Sequence, residues 1–209
     1  MTRRGPATQE AIHAAALDLF ARLGYHATSV RAIADAAAIQ PAAIYHWYSN
    51  KEAILVALQD EFMDELRESV TTGMDQHERP ALKLAAAVRE HVVYHGEHTQ
   101  AAFVTDSEIR ALTKPARSAL IAQRDDYQAM FAAMIRDGIR DGSLRTSDAN
   151  VATYAILLQC TGVGLWFNPG GPLRLEEVAE IHVELVLGSL QAERALIAEA
   201  IESVSRVAR

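Results

Sequence analysis

Residues 28–54 read TSVRAIADAAAIQPAAIYHWYSNKEAI, and their pattern predicts two short helices joined by a tight turn. Thr28 and Ser29 are both competent N-caps for a helix that starts at Val30. That helix must be short, because Pro41 suits the first position of the next helix. Such a pair can present side chains of its second helix to the major groove of DNA.

The flanking residues predict a longer helix on each side of this pair. A helix from about Ala7 to Leu23 has one apolar face, and Gly24 supplies its stop. After the pair, Ser49 and Glu52 have the spacing of a capping box that starts a long helix towards Gly73.

The remaining residues predict helices and no strands, which makes the chain an all-α protein of about nine helices. A near-apolar segment, Val151 to Phe167, is expected to be a helix that is buried on most sides, either inside a bundle or against a second subunit. The last predicted helix carries Val178 to Leu190. We expect a helix-turn-helix domain over residues 5–52 and a ligand-binding and dimerisation domain over residues 53–209.

Charge and cysteine content exclude several classes of protein. The chain of 209 residues has a net charge of −7, which is the wrong sign for a protein that coats nucleic acid. Residues 1–51 carry five basic and three acidic side chains, net +2, and the remaining fifteen basic and twenty-four acidic side chains give −9. DNA contact by the N-terminal end alone fits this distribution. The single Cys160 excludes an internal disulfide and has the apolar neighbours of a core residue.

The segment from Thr28 to Ile54 resembles the DNA-binding signature of the TetR family of bacterial repressors, and LDLFARLGY, Leu17 to Tyr25, resembles that family's first helix. The sequence departs from the family pattern at Ala38, where glycine is usual in the turn. It departs again at Ala42 and Ala43, which replace the common Gly-Thr or Gly-Ser.

The resemblance implies DNA-binding roles for residues of this chain. Tyr45, Lys51 and a hydroxyl of Thr28 or Ser29 would contact phosphates. The positions that face base edges are Gln40, Ala42, Ala43 and His46, and Pro41 between them is also counted among the DNA-binding residues. Glutamine can pair with adenine, and alanine can meet a thymine methyl group. Arg3 and Arg4 would reach the minor groove or form a tail.

For the rest of the chain, the resemblance implies a ligand pocket and a four-helix dimer interface made by the last two helices. Asp106–Leu112, Arg124–Tyr127 and Cys160–Leu173 resemble a TetR subgroup that answers to acyl-CoA thioesters. Candidate lining residues, which could equally be plain core, are Tyr94, Phe103, Tyr127, Phe131, Met134, Tyr154, Leu158 and Trp166.

A histidine face provides an alternative, since His91, His95 and His98 share one side of a helix, and Asp106 follows. Two histidines one turn apart can chelate a transition metal, so a metal-responsive regulator or a metal-dependent enzyme is the competing interpretation. A hydrogen-bonded histidine face is the simpler one.

The sequence therefore predicts a homodimeric repressor that a small molecule releases from a palindromic operator on double-stranded DNA. We expect no enzymatic activity, no cofactor, no resident metal and no membrane contact. The polar, basic residues Met1 to Pro6 predict that no secretory signal opens the chain and that the protein is cytoplasmic.

Overall fold

A computed structural model describes residues 6–207, and every regular element among them is a helix, as predicted. Arg3 and Arg4 lie outside the described residues. The helices in chain order are α1 (Pro6–Leu23), α2 (Val30–Ala36), α3 (Pro41–Ile44), α4 (Lys51–Met74), α5 (Pro80–Glu97), α6 (Thr99–Ser107), a 3-10 turn (Glu108–Ala111), α7 (Lys114–Asp141), α8 (Ala149–Thr161), α9 (Val163–Trp166), α10 (Leu175–Ser189) and α11 (Arg194–Val207).

The boundaries of α2 follow from two local hydrogen-bonding devices. The Ser29 hydroxyl accepts a hydrogen bond from the Ala32 backbone N–H at 3.1 Å, which caps the first turn. At the other end Ala38 has a φ of 55°, and Ile39 N–H donates to the Ala34 carbonyl at 3.0 Å. This is a Schellman motif with alanine in the left-handed position that usually holds glycine.

The cap of α4 differs from the prediction. Asn50 caps this helix, because its Oδ1 accepts from the Ala53 N–H at 2.9 Å. The capping box predicted between Ser49 and Glu52 is therefore wrong by one residue, and Glu52 bonds elsewhere. Asparagine is as good an N-cap as serine, so the pattern S-N-K-E offered two registers and the fold selected the second.

The chain divides into two compact units. The first unit contains residues 6–63 and Gln100–Ile121, and its core includes Ile12, Phe20, Ile33 and Ile44. The second unit contains residues 64–99 and the described residues from 122 onwards. The boundary that we place between residues 52 and 53 from the sequence remains a prediction.

Helix α5 is the central element of the second unit, and α10 and α11 pack along it. Its residues Leu84, Val88, Val92 and His95 are all buried, as is Cys160 on α8. The helix α11 was not predicted, although Leu196, Ala200 and Val204 are buried at the spacing of one helical face.

The near-apolar segment is two helices, α8 and α9, and not one buried helix. Val151, Tyr154 and Leu158 are exposed, with Leu158 at 78%. Of the two expected ways of burying this segment, the bundle of this chain leaves these side chains uncovered, and burial against a second subunit remains a prediction. Among residues 6–207, no helix is long and apolar enough to cross a membrane.

Candidate nucleic-acid interface and effector unit

The helix-turn-helix exposes one continuous group of polar and small side chains. Gln40, Ala42, Tyr45 and His46 are all exposed, and we call them the recognition surface. Helix α3 positions them: Pro41 begins it, and Ile44 anchors it in the core of the first unit. Pro41 and Ala43 are half-buried. A donor–acceptor amide, an imidazole, a phenol and a methyl group are the chemistry that base edges and phosphates require.

The two candidate phosphate hydroxyls lie in different environments. The Thr28 side chain is 2% exposed, and its hydroxyl donates to the Gly24 carbonyl at 2.9 Å. Ser29 is exposed, although its oxygen also caps α2. Of the two, only Ser29 is at the surface.

Lys51 is bound within the protein. Its ammonium donates to the carbonyls of Tyr25 and Thr28, each at 2.6 Å, and lies 4.1 Å from the centre of the Tyr25 ring. Burial lowers the pKa of Lys51, while Glu108 opposes that change. Two of the three ammonium N–H groups therefore close the loop between α1 and α2, a contact that the sequence pattern does not indicate.

Two carboxylates attach the segment around the 3-10 turn to the DNA-binding helices. Glu108 Oε1 accepts from the Tyr25 N–H at 3.1 Å, and Glu52 Oε1 accepts from the Thr113 N–H at 2.6 Å. Sequence reasoning missed both, because the partners are 83 and 61 residues apart and the acceptor meets a backbone group.

The second unit contains a buried aromatic group at the point where α5 meets α7. Tyr127 and Phe131 have ring centres 5.3 Å apart, and the His91 ring lies 5.8 Å from that of Tyr127. The Tyr127 hydroxyl is 2.8 Å from His91 Nδ1, and the Thr161 hydroxyl is 3.1 Å from His91 Nε2. Burial raises the pKa of Tyr127 and lowers the pKa of His91, so both groups are neutral there.

The eight residues predicted to line the ligand pocket differ in burial and in the unit to which they belong. Tyr94, Tyr127, Phe131 and Met134 are buried in the second unit. Phe103 is exposed and belongs to the first unit. The other three are exposed on the second unit, namely Tyr154, Leu158 and Trp166. The structure therefore buries four of the eight in one unit, and of these Tyr127 and Phe131 have their rings in contact.

The histidine face is internally bonded. The ring nitrogens of His91 have Tyr127 and Thr161 as partners, and Nδ1 of His95 and of His98 each bond a backbone carbonyl one turn earlier at 2.9 Å. His91 and His95 also stack with ring centres 4.1 Å apart. Among residues 6–207 no three His, Cys, Asp or Glu side chains could hold a metal ion, and Asp106 lies in the other unit. The metal-responsive alternative is not supported.

Gln59 on α4 is a buried amide that the sequence does not reveal. It is 1% exposed, and within the described residues neither its Oε1 nor its Nε2 has a hydrogen-bond partner. A buried amide without partners is costly, so this position is a source of instability.

An exposed apolar face covers α8, α9 and α10, and it consists of Val151, Tyr154, Leu158, Leu165, Trp166, Ile181 and Leu185. Trp166 stacks on His182 at 6.2 Å, which joins α9 to α10. Two open grooves lie near these residues, one of about 730 Å³ between α10 and α11 and one of about 400 Å³ between α8 and the C-terminal end of α10. Contiguous apolar surface of this kind marks an interaction site.

Two family models match the chain. The model for bacterial regulatory proteins of the tetR family matches residues 12–58, and the model for the tetracyclin repressor-like C-terminal domain matches residues 77–190. The HTH-type transcriptional repressor KstR2 of Rhodococcus jostii (strain RHA1) is 29% identical over 181 residues, which cover 84% of this chain and 87% of that protein.

Solved structures of regulators have the same fold. A bacterial regulatory protein in the tetR family from Rhodococcus RHA1 superposes with a TM-score of 0.84 and 26% identity, covering 91% of this chain and 100% of that one. AibR in complex with isovaleryl coenzyme A and operator DNA superposes with a TM-score of 0.78 and 26% identity, covering 85% of this chain and 97% of that one.

Proposed function

Because this chain belongs to the TetR family of bacterial regulatory proteins, it is a DNA-binding transcriptional regulator, and we propose that it is a homodimeric repressor released from a palindromic operator by a small molecule. The observation that carries the proposal is the exposed recognition surface on a helix-turn-helix whose Ile33, Ala34 and Ile44 are buried in the core of the first unit. The similarity to KstR2, a transcriptional repressor, supports repression.

Within the recognition surface, Gln40 and His46 read base edges and Tyr45 binds a phosphate through its hydroxyl. Gln40 stands at the N-cap of α3 with its amide uncommitted to the cap, so it is free to pair with an adenine. Ala42 offers a methyl group to a thymine. Ser29 adds a phosphate contact, whereas Lys51 and Thr28 serve the interface by holding the loop that precedes α2.

The apolar face pairs with the same face of a second copy. Val151, Tyr154 and Leu158 recur at the spacing of one helical side. Ile181 and Leu185 are exposed on α10, and Leu185 lines the groove against α11. Ridges of one helix fit grooves of another, which favours a helical interface between two identical surfaces. Such a dimer presents two recognition helices about 34–36 Å apart, one turn of DNA, and so selects a palindrome.

The releasing effector is an acyl-CoA or another apolar or amphipathic metabolite, and it binds among the helices of the second unit. AibR, which has this fold, is seen with isovaleryl coenzyme A and operator DNA. The buried hydroxyl and imidazole groups of Tyr127 and His91 lie beside Phe131, a mixture that suits an apolar molecule with one polar group.

DNA binding is tested by fluorescence anisotropy with a duplex of the upstream intergenic DNA and a random duplex of equal length. Tyr45→Phe should weaken binding to both duplexes alike, because a phosphate contact carries no sequence information. Gln40→Ala should lower the preference for the upstream duplex. If wild-type protein binds the two duplexes equally, or neither variant has an effect, the proposed recognition surface is wrong.

The dimer and the effector need separate measurements. Leu158→Glu should give a monomer in sedimentation at micromolar concentration, while Leu23→Glu, which changes another large exposed leucine, on α1, should remain a dimer. A monomeric wild-type protein would contradict the interface. Thermal shift with acyl-CoAs, free fatty acids and aromatic acids tests the effector class, and no response to any of them would contradict it.

A further inference from the structure

Tyr48, two residues after the last member of the recognition surface, contacts side chains of both α1 and α4. Its side chain is 7% exposed. Gln9 on α1 donates from Nε2 to the Tyr48 hydroxyl oxygen at 3.0 Å, and His13 Nε2 lies 2.5 Å from the same oxygen. His13 Nδ1 in turn lies 2.6 Å from Glu61 Oε2 on α4.

One assignment of donors and acceptors satisfies every group in this chain of contacts. The Glu61 carboxylate accepts from the His13 Nδ1–H, and His13 Nε2 accepts from the Tyr48 hydroxyl, which itself accepts from Gln9. Burial raises the pKa of Tyr48, more than the Gln9 hydrogen bond lowers it, so the hydroxyl keeps its proton.

Helix α3 needs such an anchor because it is short. It consists of Pro41–Ile44, a single turn, and the Gln40 side chain makes no capping hydrogen bond. Tyr45 and His46 stand between two fixed points, the buried Ile44 and the buried Tyr48. The direction in which both exposed side chains point therefore depends on where Tyr48 is held.

We propose that Glu61, His13 and Tyr48 form a relay of hydrogen bonds that positions the recognition helix on α1 and α4, and that this relay sets operator specificity. We call it the Tyr48 relay. Carboxylate, imidazole and hydroxyl in this order also activate nucleophiles in enzymes. Here the hydroxyl is buried and bonded to two side chains, so it holds a helix in place. The proposal goes beyond DNA binding, on which it rests, by naming residues that touch no DNA.

The test uses the full-length protein, the same upstream and random duplexes, and two pairs of variants. Tyr48→Phe removes only the hydroxyl, and Tyr25→Phe is its matched control, because Tyr25 makes its hydrogen bonds to Glu108 and Lys51 through the backbone. Glu61→Ala removes the acceptor of His13, whereas Glu61→Gln keeps an acceptor oxygen and loses the same charge.

Loss of one to two hydrogen bonds predicts that Tyr48→Phe and Glu61→Ala bind the upstream duplex about 5- to 10-fold more weakly. The loss on the random duplex should be smaller, because displacing Tyr45 weakens both duplexes whereas displacing His46 weakens only the upstream one. Glu61→Gln and Tyr25→Phe should bind like wild type. The double variant Tyr48→Phe with Glu61→Ala should lose no more than Tyr48→Phe alone, because both act through His13.

Three results would overturn the relay: wild-type affinity for Tyr48→Phe, equal affinities for Glu61→Ala and Glu61→Gln, or additive losses in the double variant. If wild-type protein does not distinguish the two duplexes, the proposed function fails. The relay is then tested by the free energy of urea unfolding of Tyr48→Phe, Glu61→Ala and the double variant. Losses of stability that add in the double variant would overturn it.

Discussion

Replacing Ala38 by glycine should stabilise the protein, although glycine at most helical positions destabilises. Ala38 occupies the C′ position after α2 with a φ of 55°, in the left-handed region. An L-residue with a β-carbon crowds the following carbonyl there, which costs about 1–2 kcal/mol relative to the right-handed conformation. Glycine has no β-carbon, so it adopts this conformation without that cost.

The gain is reduced by the greater freedom of glycine in the unfolded chain, which is about 0.4–1 kcal/mol. Ala38→Gly should therefore raise the free energy of unfolding by about 0.5–1 kcal/mol. Both hydrogen bonds of the motif, from Ala38 to Asp35 and from Ile39 to Ala34, are made by the backbone and survive the substitution.

Urea unfolding of the full-length protein, followed by circular dichroism, measures the change. The matched control is Ala36→Gly, an exposed alanine two residues earlier in the last turn of α2, which should lose about 0.5–1 kcal/mol. The two substitutions are chemically identical, so opposite signs isolate the backbone effect. A loss of stability in Ala38→Gly equal to that in Ala36→Gly would refute the reasoning.

Three further changes test other contacts. Gln59→Met keeps the length of a buried side chain and removes two unpaired polar atoms, so urea unfolding should show a gain of about 1–3 kcal/mol. Lys51→Met should weaken binding to the upstream duplex without changing the slope of log affinity against log salt, because its ammonium bonds carbonyls of the protein. Burial lowers the pKa of His91 well below its usual value, so His91 is neutral when folded and binds a proton only on unfolding. The contribution of neutral His91 to the free energy of unfolding should be fully present above about pH 6.5. Below that pH the free energy of unfolding should fall by up to about 1.4 kcal/mol per pH unit, and His91→Gln should reduce this loss.

Each of these three predictions would be contradicted by a specific result. No gain in Gln59→Met would mean that the amide is hydrogen-bonded in solution. A salt slope lower by about 0.9 in Lys51→Met would restore a phosphate contact for that lysine. A pH profile that is identical in wild type and His91→Gln would show that another group governs the acid loss.

Much of the DNA-binding site could be predicted from residues that are neighbours in sequence. Caps, proline and helical spacing act within a few residues, so Ser29, Pro41 and the apolar stripe predicted α2 and α3 correctly. The same local signals allowed either Ser49 or Asn50 to be the N-cap of α4, and in the structure Asn50 is the cap. Only packing of the whole helix chooses between two competent caps.

Contacts between distant residues could not be predicted. The sequence indicates a positive charge at Lys51, but whether its ammonium meets a phosphate or the carbonyls of Tyr25 and Thr28 depends on the fold of the preceding loop. Apolar periodicity likewise marked Tyr127 and Leu158 in the same way, and one is buried while the other is 78% exposed. Periodicity identifies an apolar side of a helix without identifying what covers it.

The short stretch from Thr28 to Tyr48 therefore specifies a helix-turn-helix by itself, because local backbone preferences and side-chain caps are properties of adjacent residues. Tertiary structure alone decided that Tyr48 is linked through His13 to Glu61 and that the apolar surface of α8 to α10 is exposed in this chain. Hydrogen bonds and burial depend on distance in space, and residues 35 or more positions apart meet only when the chain has folded.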